Sequence, residues 1–543
     1  MRKPQLIIWL LCALSALLLS LPWLVPHTGA LALDAFVPLL CADAIAEQCR
    51  MRASWVYPAA TFVAWNAATT FWVCNATVGG GIFAVLANAA QMLLVWLLFR
   101  LARKKLGGGV LPYVFLAAMW IAWERQYFHV QISWPWLTLG GAFAQSTRTV
   151  QWYEYTGTLG GSLWIWLANL GFFGLLEAVS DGYWQRWKPL GRVCAILGIT
   201  LVVAGPVVAS KLIWSSYEER SEATVDVLIG QPNFDPYQKF QSMTQAEQTA
   251  VLLDLFGDAL ADRPAEPLLL LAPETFTSDI TLNDPDHSPT LQSFRRFMAE
   301  HPGTEMLFGA STYEIFATHA APTILARPYG EGWLVGHNTA LTATATGPVE
   351  VYHKSKLVVG TELTPYPKIF VPLDKWLSKL MGVSGLMGRC VGQDGVSLLH
   401  FGGQRVPLGC AVCYESVYGE YCTEYVRQGA QAMTIITNDA WWGNTPGYRQ
   451  HLSYARLRAI ELRRDIARCG NTGISAFIDQ RGEILSQSAW WTRQTLSGQI
   501  NLSSEQTAFV RHGDIVGRVC TLIFLLLAAV LLVRLFVPSR RRQ

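Results

Sequence analysis

Long apolar runs near both ends of this 543-residue chain limit the folds that it can adopt. A transmembrane helix needs about 20 predominantly apolar residues. Runs of about this length lie at residues 5–25, 54–76, 80–99, 110–127, 159–179, 193–213 and 515–536, with a weaker one at 29–46. Only 15% of the residues are charged, whereas about a quarter are charged in a typical soluble protein. We therefore expect a membrane protein with about eight transmembrane helices.

The basic residues between these runs predict the orientation, because Lys and Arg are enriched in cytoplasmic loops. They cluster at residues 2–3, 50–52, 100–105, 186–192 and 534–542. All of these clusters lie in the cytoplasm only if the weak segment 29–46, which contains Asp34 and Asp43, also crosses the membrane. Seven spans then precede residues 217–512 and one follows them. This segment is expected outside the cytoplasmic membrane, with both termini inside.

The first apolar run has an alternative interpretation, a cleaved signal peptide. The run follows "MRK" and precedes Ala30-Leu31-Ala32, which loosely fits a cleavage site. A retained helix is favoured, because the run is long for a signal peptide and further spans follow it immediately.

Residues 217–512 have the composition of an ordinary globular domain. Short apolar runs that end in polar residues predict buried strands at 224–233, 267–275, 304–312, 405–415 and 432–440. Helical periodicity marks 244–260 and 448–469. Strands that alternate with helices indicate an α/β domain. The predicted organisation is a membrane domain with seven transmembrane helices at 1–214, the α/β domain at 217–512 and a C-terminal transmembrane helix at 515–537.

Charge and cysteine spacing argue against two classes of function. A net charge of +3 without a basic, aromatic-interleaved stripe gives no support for nucleic-acid binding. The 11 cysteines are scattered, and the C-x-x-C pair Cys410 and Cys413 has no second pair or histidine motif beside it. No metal or cofactor is therefore expected. On one strand the two thiols would point to opposite faces, so no disulfide is expected between them.

Three potentially reactive side chains follow predicted strands, where α/β domains usually build their sites. Glu274 follows the strand-ending Pro273, Lys354 lies in "VYHKSKL", and Cys413 ends "VPLGCAVC". Taken singly, each has an ordinary explanation: a solvated carboxylate, a solvated lysine and a small buried hydrophobe. Their order and their local sequences favour a joint catalytic role.

These local sequences resemble the nitrilase superfamily, whose members carry a Glu–Lys–Cys triad on an α-β-β-α sandwich. The stretches that carry the resemblance are "APET", "YHKSKL", "GTELTPY", "CYESVYGE", "TNDAWWG" and "QHLSYARLRAIELRRDIARCGNTGIS". With the seven preceding spans, "WPWLTLG" at 134–140 and the final span, the whole chain resembles the apolipoprotein N-acyltransferases of the bacterial inner membrane. The resemblance implies a nitrilase-like sandwich on the periplasmic side of that membrane, with both termini cytoplasmic.

The resemblance also implies a role for each residue of the triad. Cys413 is the expected nucleophile, Glu274 the general base and acid, and Lys354 the donor that stabilises the oxyanion. Lys354, rather than Lys356, fits the family's aromatic-x-Lys-x-x-Leu pattern.

Three further residues are expected to support the triad. Glu362 follows "VGT", where relatives more often have Pro-Phe-Gly. The family pattern therefore does not predict the backbone shape of this loop. This glutamate either orients Lys354 or forms a structural salt bridge. Tyr414 supplies the backbone N–H after the nucleophile, which is a candidate second oxyanion donor. Glu415 is expected to shape the pocket behind Cys413.

The expected chemistry is acyl transfer through a thioester. A thiol of pKa ~8.5 is only slightly ionised at neutral pH, so Cys413 needs a base to attack an ester carbonyl. An amine then attacks the thioester and forms the more stable amide. In the family, the donor is a membrane phospholipid and the acceptor is the α-amine of the diacylglyceryl-cysteine at the N-terminus of an apolipoprotein.

Both substrates are amphiphiles, so contacts with the bilayer are expected. Residues 367–388 are apolar and punctuated by Gly and Pro, and are expected to form a mobile lid rather than a packed loop. Trp441 and Trp442 are candidates to line the path of the lipid. Phe240 falls about where some relatives have a Trp, and is a candidate for the substrate-facing surface.

Two ionisable residues lie at the outer end of the fifth span, where charge at membrane depth is costly. Glu124 and Arg125 are expected either to form a structural ion pair or to face a lipid headgroup. The aromatic residues of the adjoining connection, 128–158, are typical of a membrane interface.

Two other functions are consistent with parts of the pattern. In a membrane-tethered amidohydrolase, water rather than an amine would resolve the acyl-enzyme, and the triad alone does not separate this reaction from acyl transfer. A transporter with an external sensing domain is less favoured, because no pair of spans shows the Gly/Pro interruptions of a midplane site.

Overall fold

The computed structural model describes residues 3–107, 109–236, 239, 242–261, 263–264, 266–381, 387–403 and 405–536. Ten helices come first: Lys3–Leu24 (α1), Val37–Gln48 (α2), Val56–Thr70 (α3), Val73–Ala76 (α4), Val78–Lys105 (α5), Leu111–Tyr127 (α6), Tyr153–Thr156 (α7), Thr158–Ser180 (α8), Tyr183–Arg186 (α9) and Pro189–Ser216 (α10). Between α6 and α7 the chain forms 3-10 turns at Pro135–Leu137, Leu139–Phe143 and Thr147–Thr149.

Within the described residues, six helical segments are long and apolar enough to cross a membrane. They are Lys3–Leu24, Gly29–Gln48, Val78–Lys105, Thr158–Ser180, Pro189–Ser216 and Ile515–Phe536. The predicted spans at 54–76 and 110–127 instead contain α3 and α6, of 15 and 17 residues. At ~1.5 Å per residue, 17 residues reach about 26 Å, short of a ~30 Å hydrocarbon core. The chain is a multi-pass membrane protein, and the count of eight spans stays a prediction.

The weak segment 29–46 is one of these six, although it carries two aspartates. Asp43 is buried and pairs with Arg100 and, at 3.0 Å, with Arg103, both on α5. Ionisable side chains inside apolar helices persist where an opposite charge pairs with them. This pairing explains why a helix with a buried aspartate packs among the apolar helices.

Fourteen described strands form two sheets in residues 217–512. They are Ala223–Gln231 (β1), Leu268–Leu271 (β2), Thr277–Thr281 (β3), Thr304–Phe316 (β4), Arg327–Tyr329 (β5), Gly332–Ala343 (β6), Glu350–His353 (β7), Leu399–Phe401 (β8), Val406–Val412 (β9), Ala432–Thr437 (β10), Ile466–Gly470 (β11), Ala476–Ile478 (β12), Ile484–Gln487 (β13) and Gln494–Leu502 (β14). The first sheet has the order β14-β1-β2-β4-β6-β5, with β3 beside β4 and β7 beside β6. The second has the order β13-β12-β11-β10-β9-β8.

The described helices of this part of the chain lie between the strands or after them in sequence. They are Gln245–Leu260 (α11), Pro289–Glu300 (α12), Pro367–Met381 (α13), Gly419–Arg427 (α14), Pro446–Leu462 (α15) and Ala508–His512 (α16), and Ile515–Phe536 (α17) ends the described chain. Leu268 and Leu270 of β2 pack outward against α11 and α12, whereas Leu269 and Leu271 face the second sheet. This alternation gives the α-β-β-α sandwich that the resemblance implied.

All five predicted strands are confirmed, and one predicted helix is too long. The helical pattern over 448–469 ends at Leu462, because Arg463 adopts a left-handed backbone conformation (φ 49°). Residues Ile466–Gly470 then form β11 in the middle of the second sheet. Arg464 and Arg468, which follow this turn, are buried and hydrogen-bonded.

Candidate active site

Glu274 lies at the end of β2, in the space between the two sheets. Pro273 follows the strand, and Thr275 then adopts a left-handed conformation (φ 47°) that turns the chain. A Cβ atom on Gly309 of β4 would lie 2.5 Å from the Cα of Glu274, so only glycine lets β4 approach this turn. The Glu274 side chain is buried, with 7% of it exposed. Its Oε2 accepts a hydrogen bond from the backbone N–H of Asn438 (3.1 Å).

Lys354 directly follows β7 and is almost completely buried, with 1% of its side chain exposed. Its Nζ lies 3.0 Å from Glu274 Oε1 and 2.9 Å from Glu362 Oε2. The side chain of Asn338, on β6, donates to Oε1 of both carboxylates, at 2.8 Å and 2.6 Å. Lysine and asparagine therefore bridge two glutamates in one closed network.

Electrostatics keep this lysine charged. Burial lowers the pKa of Lys354, but the carboxylates of Glu274 and Glu362 outweigh burial and raise this pKa well above its ordinary value. A permanently charged ammonium fits a donor to a developing oxyanion better than it fits a base.

Cys413 is the first residue after β9, on the second sheet. It has a left-handed backbone (φ 52°) and begins the 3-10 turn Cys413–Val417. A cysteine in this region of φ is uncommon, and such strain clusters at functional sites. Burial and the charge of Glu274 raise the pKa of Cys413 well above its ordinary value, while Lys354 acts in the opposite direction. At rest the group is a thiol, so its attack requires a base.

The C-x-x-C pair is two separate thiols. Cys410 lies within β9 and is completely buried, and Cys413 lies beyond the end of the strand; both are free in the described chain. Strand alternation therefore does not apply to Cys413 itself, which leaves the sheet through its left-handed turn. The prediction of no disulfide between them is confirmed.

Glu415 is completely buried behind the nucleophile. Its carboxylate accepts hydrogen bonds from the hydroxyl of Tyr352 (2.6 Å), from the N–H of Ser355 (2.7 Å) and from the N–H of Val412 (2.8 Å). Ser355 follows Lys354, and Val412 precedes Cys413. One carboxylate thus joins the two loops that carry the lysine and the cysteine.

A second buried network holds the cysteine turn from the opposite side. His451, on α15, lies 2.9 Å from Asp439 through Nδ1, and 3.1 Å from the carbonyl of Cys413 through Nε2. Arg468 donates to Asp439 at 2.6 Å. Burial raises the pKa of Asp439, but the charges of Arg468 and His451 outweigh it and lower this pKa. Cys413, Asp439 and His451 have the side-chain types of a metal site, but a cation there would meet the charge of Arg468.

The loop before α7 contacts the residue that follows the nucleophile. The hydroxyl of Tyr414 donates to the carbonyl of Ser133 (3.1 Å), and its ring stacks on Trp134 at 6.0 Å. Trp442 packs on Trp72 and Trp136, with ring centroids 4.6 Å and 5.7 Å apart. The predicted site is therefore built against the helical bundle.

The remaining predicted residues differ in burial and in their partners. Trp441 is half-buried next to Trp442, whereas Phe240 lies outside the described residues. Glu124 is buried and accepts from the N–H of Leu139 (2.8 Å). Arg125 pairs with Asp514 (3.6 Å), not with Glu124.

An ion pair between Glu124 and Arg125 was therefore the wrong alternative. Adjacent residues on a helix point in different directions, so each finds its partner elsewhere. Glu124 holds the loop that contains Trp134 and Trp136, and Arg125 holds the start of the final long helix.

Within the predicted lid, Pro367–Met381 forms α13. Four of its apolar side chains, at helical spacing on one face, are 40% to 71% exposed: Ile369, Leu373, Trp376 and Leu380. Residues 382–386 lie outside the described residues. An exposed apolar helix face beside a membrane domain fits a helix that lies on the bilayer surface.

Sequence reasoning missed Asn338, His451 and Lys239. Asn338 stands in the middle of β6, a strand that was not among the predicted ones. Lys239 is buried and donates to the carbonyl of Thr275, and burial lowers its pKa to about 8 although the charge of Glu274 acts in the opposite direction. "QHL", with a histidine next to a conspicuous "TNDAWWG", was the available signal for His451.

The class of the protein follows from the sandwich, its strand-end residues and a family match. The family model described as carbon-nitrogen hydrolase matches residues 268–508. The model described as apolipoprotein N-acyltransferase N-terminal domain matches residues 15–171, within the helical bundle. A carbon-nitrogen hydrolase domain is thus carried by a membrane domain of a known type.

Curated relatives specify the family. The chain is 30% identical over 534 residues to the apolipoprotein N-acyltransferase of Chlorobaculum tepidum, covering 96% of both chains. It is 25% identical over 523 residues to that of Geobacter metallireducens, covering 94% and 93%. The chain therefore belongs to the apolipoprotein N-acyltransferase family. Among solved structures, Saccharomyces cerevisiae Nit3 of the nitrilase superfamily matches with a TM-score of 0.37 and 13% identity, over 55% of this chain and 97% of that one.

Proposed function

We propose that this acyltransferase moves a fatty acyl chain from a membrane phospholipid to the α-amine of the diacylglyceryl-cysteine at the N-terminus of an apolipoprotein. The observation that carries the proposal is the buried Glu274–Lys354 pair, electrostatically coupled to Cys413, in a chain related over its whole length to proteins of that name. No metal or cofactor takes part in the proposed steps.

The first step acylates the cysteine. Glu274 takes the thiol proton of Cys413 as its sulfur attacks the ester carbonyl of the phospholipid. Lys354 and the backbone N–H of Tyr414 stabilise the oxyanion of the tetrahedral intermediate. When the intermediate collapses, the C–O bond breaks and the lysophospholipid alcohol leaves with the proton from Glu274. The acyl group remains on sulfur as a thioester.

The second step transfers the acyl group to the acceptor. The neutral amine attacks the thioester carbonyl, and Glu274 removes the proton that the nitrogen loses. The C–S bond breaks, the thiolate of Cys413 recovers this proton from Glu274, and the amide is released. The amide is more stable than the thioester, so no nucleotide is needed to drive the reaction.

Glu362 and Asn338 are positioning residues in this scheme. They bind the Lys354 ammonium and the Glu274 carboxylate, respectively, and so keep the base and the oxyanion donor next to each other. Glu415 and His451 hold the two loops and the turn of Cys413. The pocket therefore needs little rearrangement when the ester binds.

The proposed location is the bacterial inner membrane, with the catalytic domain at 217–512 on the periplasmic side. The basic clusters of the loops support cytoplasmic termini and a membrane domain at 1–214, followed after the catalytic domain by the helix at 515–537.

The exposed apolar face of α13 is the proposed lid that meets the bilayer, and Trp441 and Trp442 line the path of the acyl chain. Proteolysis of this lid that is equally slow with and without phospholipid would contradict its role.

Intact mass spectrometry tests the chemistry. Purified protein mixed with a diacyl phospholipid is expected to gain the mass of one fatty acyl group, which hydroxylamine removes. Cys413→Ala, the matched control, is expected to gain nothing. An unmodified wild-type protein, or a modification that persists in Cys413→Ala, would contradict the proposal.

The acceptor separates transfer from hydrolysis. A synthetic peptide with an N-terminal diacylglyceryl-cysteine is expected to discharge the acyl-enzyme and to gain the acyl group as an amide. The same peptide with a blocked α-amine is the control and should leave the thioester intact. Equal discharge by both, with release of free fatty acid, would instead indicate a hydrolase.

A further inference from the structure

Two histidines and a glutamate meet on the outer face of the first sheet, away from the candidate active site. Glu314 lies on β4, His337 on β6 and His353 at the end of β7. The three side chains offer one ligand atom each, and these atoms lie within 4.8 Å of one another. The imidazole rings of His337 and His353 stack with centroids 4.1 Å apart.

The hydrogen bonds of His337 prepare one of its nitrogens for a metal ion. Its Nδ1 lies 2.7 Å from the carbonyl oxygen of Val391, which can only accept, so Nδ1 carries the hydrogen. In this tautomer Nε2 bears the lone pair. Nε2 is buried and has no hydrogen-bond partner among the described residues, and only 7% of the residue is exposed. A histidine that donates one N–H to a carbonyl and directs the other nitrogen into a cluster is typical of a metal ligand.

A hydrogen bond also holds His353 at the cluster. Its Nδ1 lies 3.0 Å from the hydroxyl of Thr339, which fixes the ring on the sheet face. Glu314 is 38% exposed at the rim of the cluster and brings the negative charge that a dication needs.

We propose that Glu314, His337 and His353 form a binding site for one divalent transition-metal ion of the Zn²⁺ type. Two imidazoles and one carboxylate are an established ligand set for zinc, and water completes the coordination. Ligand atoms ~2.1 Å from one ion lie at most about 4.2 Å apart, so the cluster needs only small side-chain rotations. His337 Nε2 and Glu314 Oε2 are already 3.9 Å apart.

The position of the site links it to the catalytic face. Residues that alternate along a strand face opposite sides of a sheet. His353 therefore faces outward while the next residue, Lys354, faces the active site, and His337 stands in the same relation to Asn338. A bound ion joins β4, β6 and β7 and so stiffens the backbone that positions the lysine and the asparagine.

Metal titration of the full-length protein tests the site without an activity assay. The protein is purified in detergent without a polyhistidine tag and with Cys413→Ala, so that the catalytic thiol cannot bind metal. Zn²⁺ calorimetry is expected to give one site per chain, and Co²⁺ is expected to give the visible absorption of a nitrogen–oxygen site. Zn²⁺ should also raise the unfolding temperature, because it binds only the folded chain.

Variants assign the ion to these residues. His337→Gln and His353→Gln, made in the same background, are expected to weaken Zn²⁺ binding at least ~10-fold. His400→Gln is the matched control, because His400 lies 3.2 Å from Glu350 but belongs to no cluster of three such ligands among the described residues. The control is expected to bind Zn²⁺ as tightly as the parent protein.

Glu314→Gln extends the test to a partly exposed position, where a folding defect is not expected. It should weaken Zn²⁺ binding as well. The proposal is overturned if no saturable binding occurs, or if Glu314→Gln and the folded histidine variants bind Zn²⁺ as tightly as the parent.

Discussion

The two faces of the sheet at β6 and β7 both carry polar clusters, but the charges in the two clusters differ. On the inner face, Lys354 is charged and is surrounded by two carboxylates and an amide. On the outer face, two stacked imidazoles meet one carboxylate, and no lysine or arginine pairs with them among the described residues. Neighbouring residues supply the two clusters: His337 precedes Asn338, and His353 precedes Lys354.

This difference shows how a buried polar cluster acquires a function from its charge balance. Buried charges require partners, and the inner face satisfies that requirement with its own ammonium group. The outer face has acceptor lone pairs and a carboxylate, but no paired cation among the residues that the structure describes. The first arrangement is suited to stabilise a transient anion, and the second to bind a cation.

The largest expected effect comes from removing the cation of the inner face. Lys354→Met is expected to slow acyl-enzyme formation by ~10²–10³, the usual cost of losing one oxyanion donor. The measurement is the rate at which the acyl adduct appears by intact mass. Lys356→Met is the matched control, because its ammonium lies over the rings of Tyr418 and Tyr421 and not at Glu274. Equal rates for the two variants would show that Lys354 does not stabilise the oxyanion.

Much of this face could be predicted from the sequence, because strand ends are local features. Short apolar runs ended by polar residues identified β2 and β9, and with them Glu274 and Cys413. The roles of these residues remain predictions. The pairing of the two sheets could not be predicted, since Glu274 and Asn438 are 164 residues apart in sequence.

The residues that sequence analysis missed are those whose partners are distant. Asn338 acquires its importance from Glu274 and Glu362, and His451 from the carbonyl of Cys413. The same reason explains the helix that was predicted too long, because the buried environment of Arg468 is created by Asp439 and not by its own neighbours. Local periodicity contains no information about such partners.

The next effect concerns the support behind the inner face. The Glu415 carboxylate accepts hydrogen bonds from several donors, including the N–H groups of Ser355 and Val412. Glu415→Gln replaces one of its two acceptor oxygens with an NH₂ group, which is itself a donor. We expect the free energy of unfolding to fall by about 1–3 kcal/mol, as for other unsatisfied buried groups. Thermal unfolding in detergent measures it. Glu300→Gln, at an exposed helix end, is the control and should leave the unfolding temperature unchanged; an equally small effect at Glu415 would contradict its proposed role.

A second buried lysine, Lys239, has the opposite shift in pKa from Lys354. The pKa of Lys239 is lowered from 10.5 to about 8, so between these values the unfolded chain binds more protons than the folded one. Stability should therefore rise with pH across this window, by about 1 kcal/mol per pH unit at most. Lys239→Met is expected to remove this part of the rise, measured as unfolding temperature against pH.

The exposed Lys375→Met is the control for this titration and should keep the full pH dependence of the wild type. If Lys239→Met also keeps it, the folded-state pKa of Lys239 is not lowered. In that case neither Lys239 nor Lys354 would have a lowered pKa in the folded protein.

The smallest effect tests whether the inner face depends on the helical bundle. Tyr414→Phe keeps the stacking on Trp134 but removes the hydrogen bond to the carbonyl of Ser133. One such bond contributes ~1 kcal/mol, so acyl-enzyme formation should slow by about fivefold if the bundle fixes the turn of Cys413. Tyr329→Phe, on an exposed strand, should leave the rate unchanged. If Tyr414→Phe lowers the unfolding temperature but leaves this rate unchanged, the contact with the bundle supports the fold and not the position of the nucleophile.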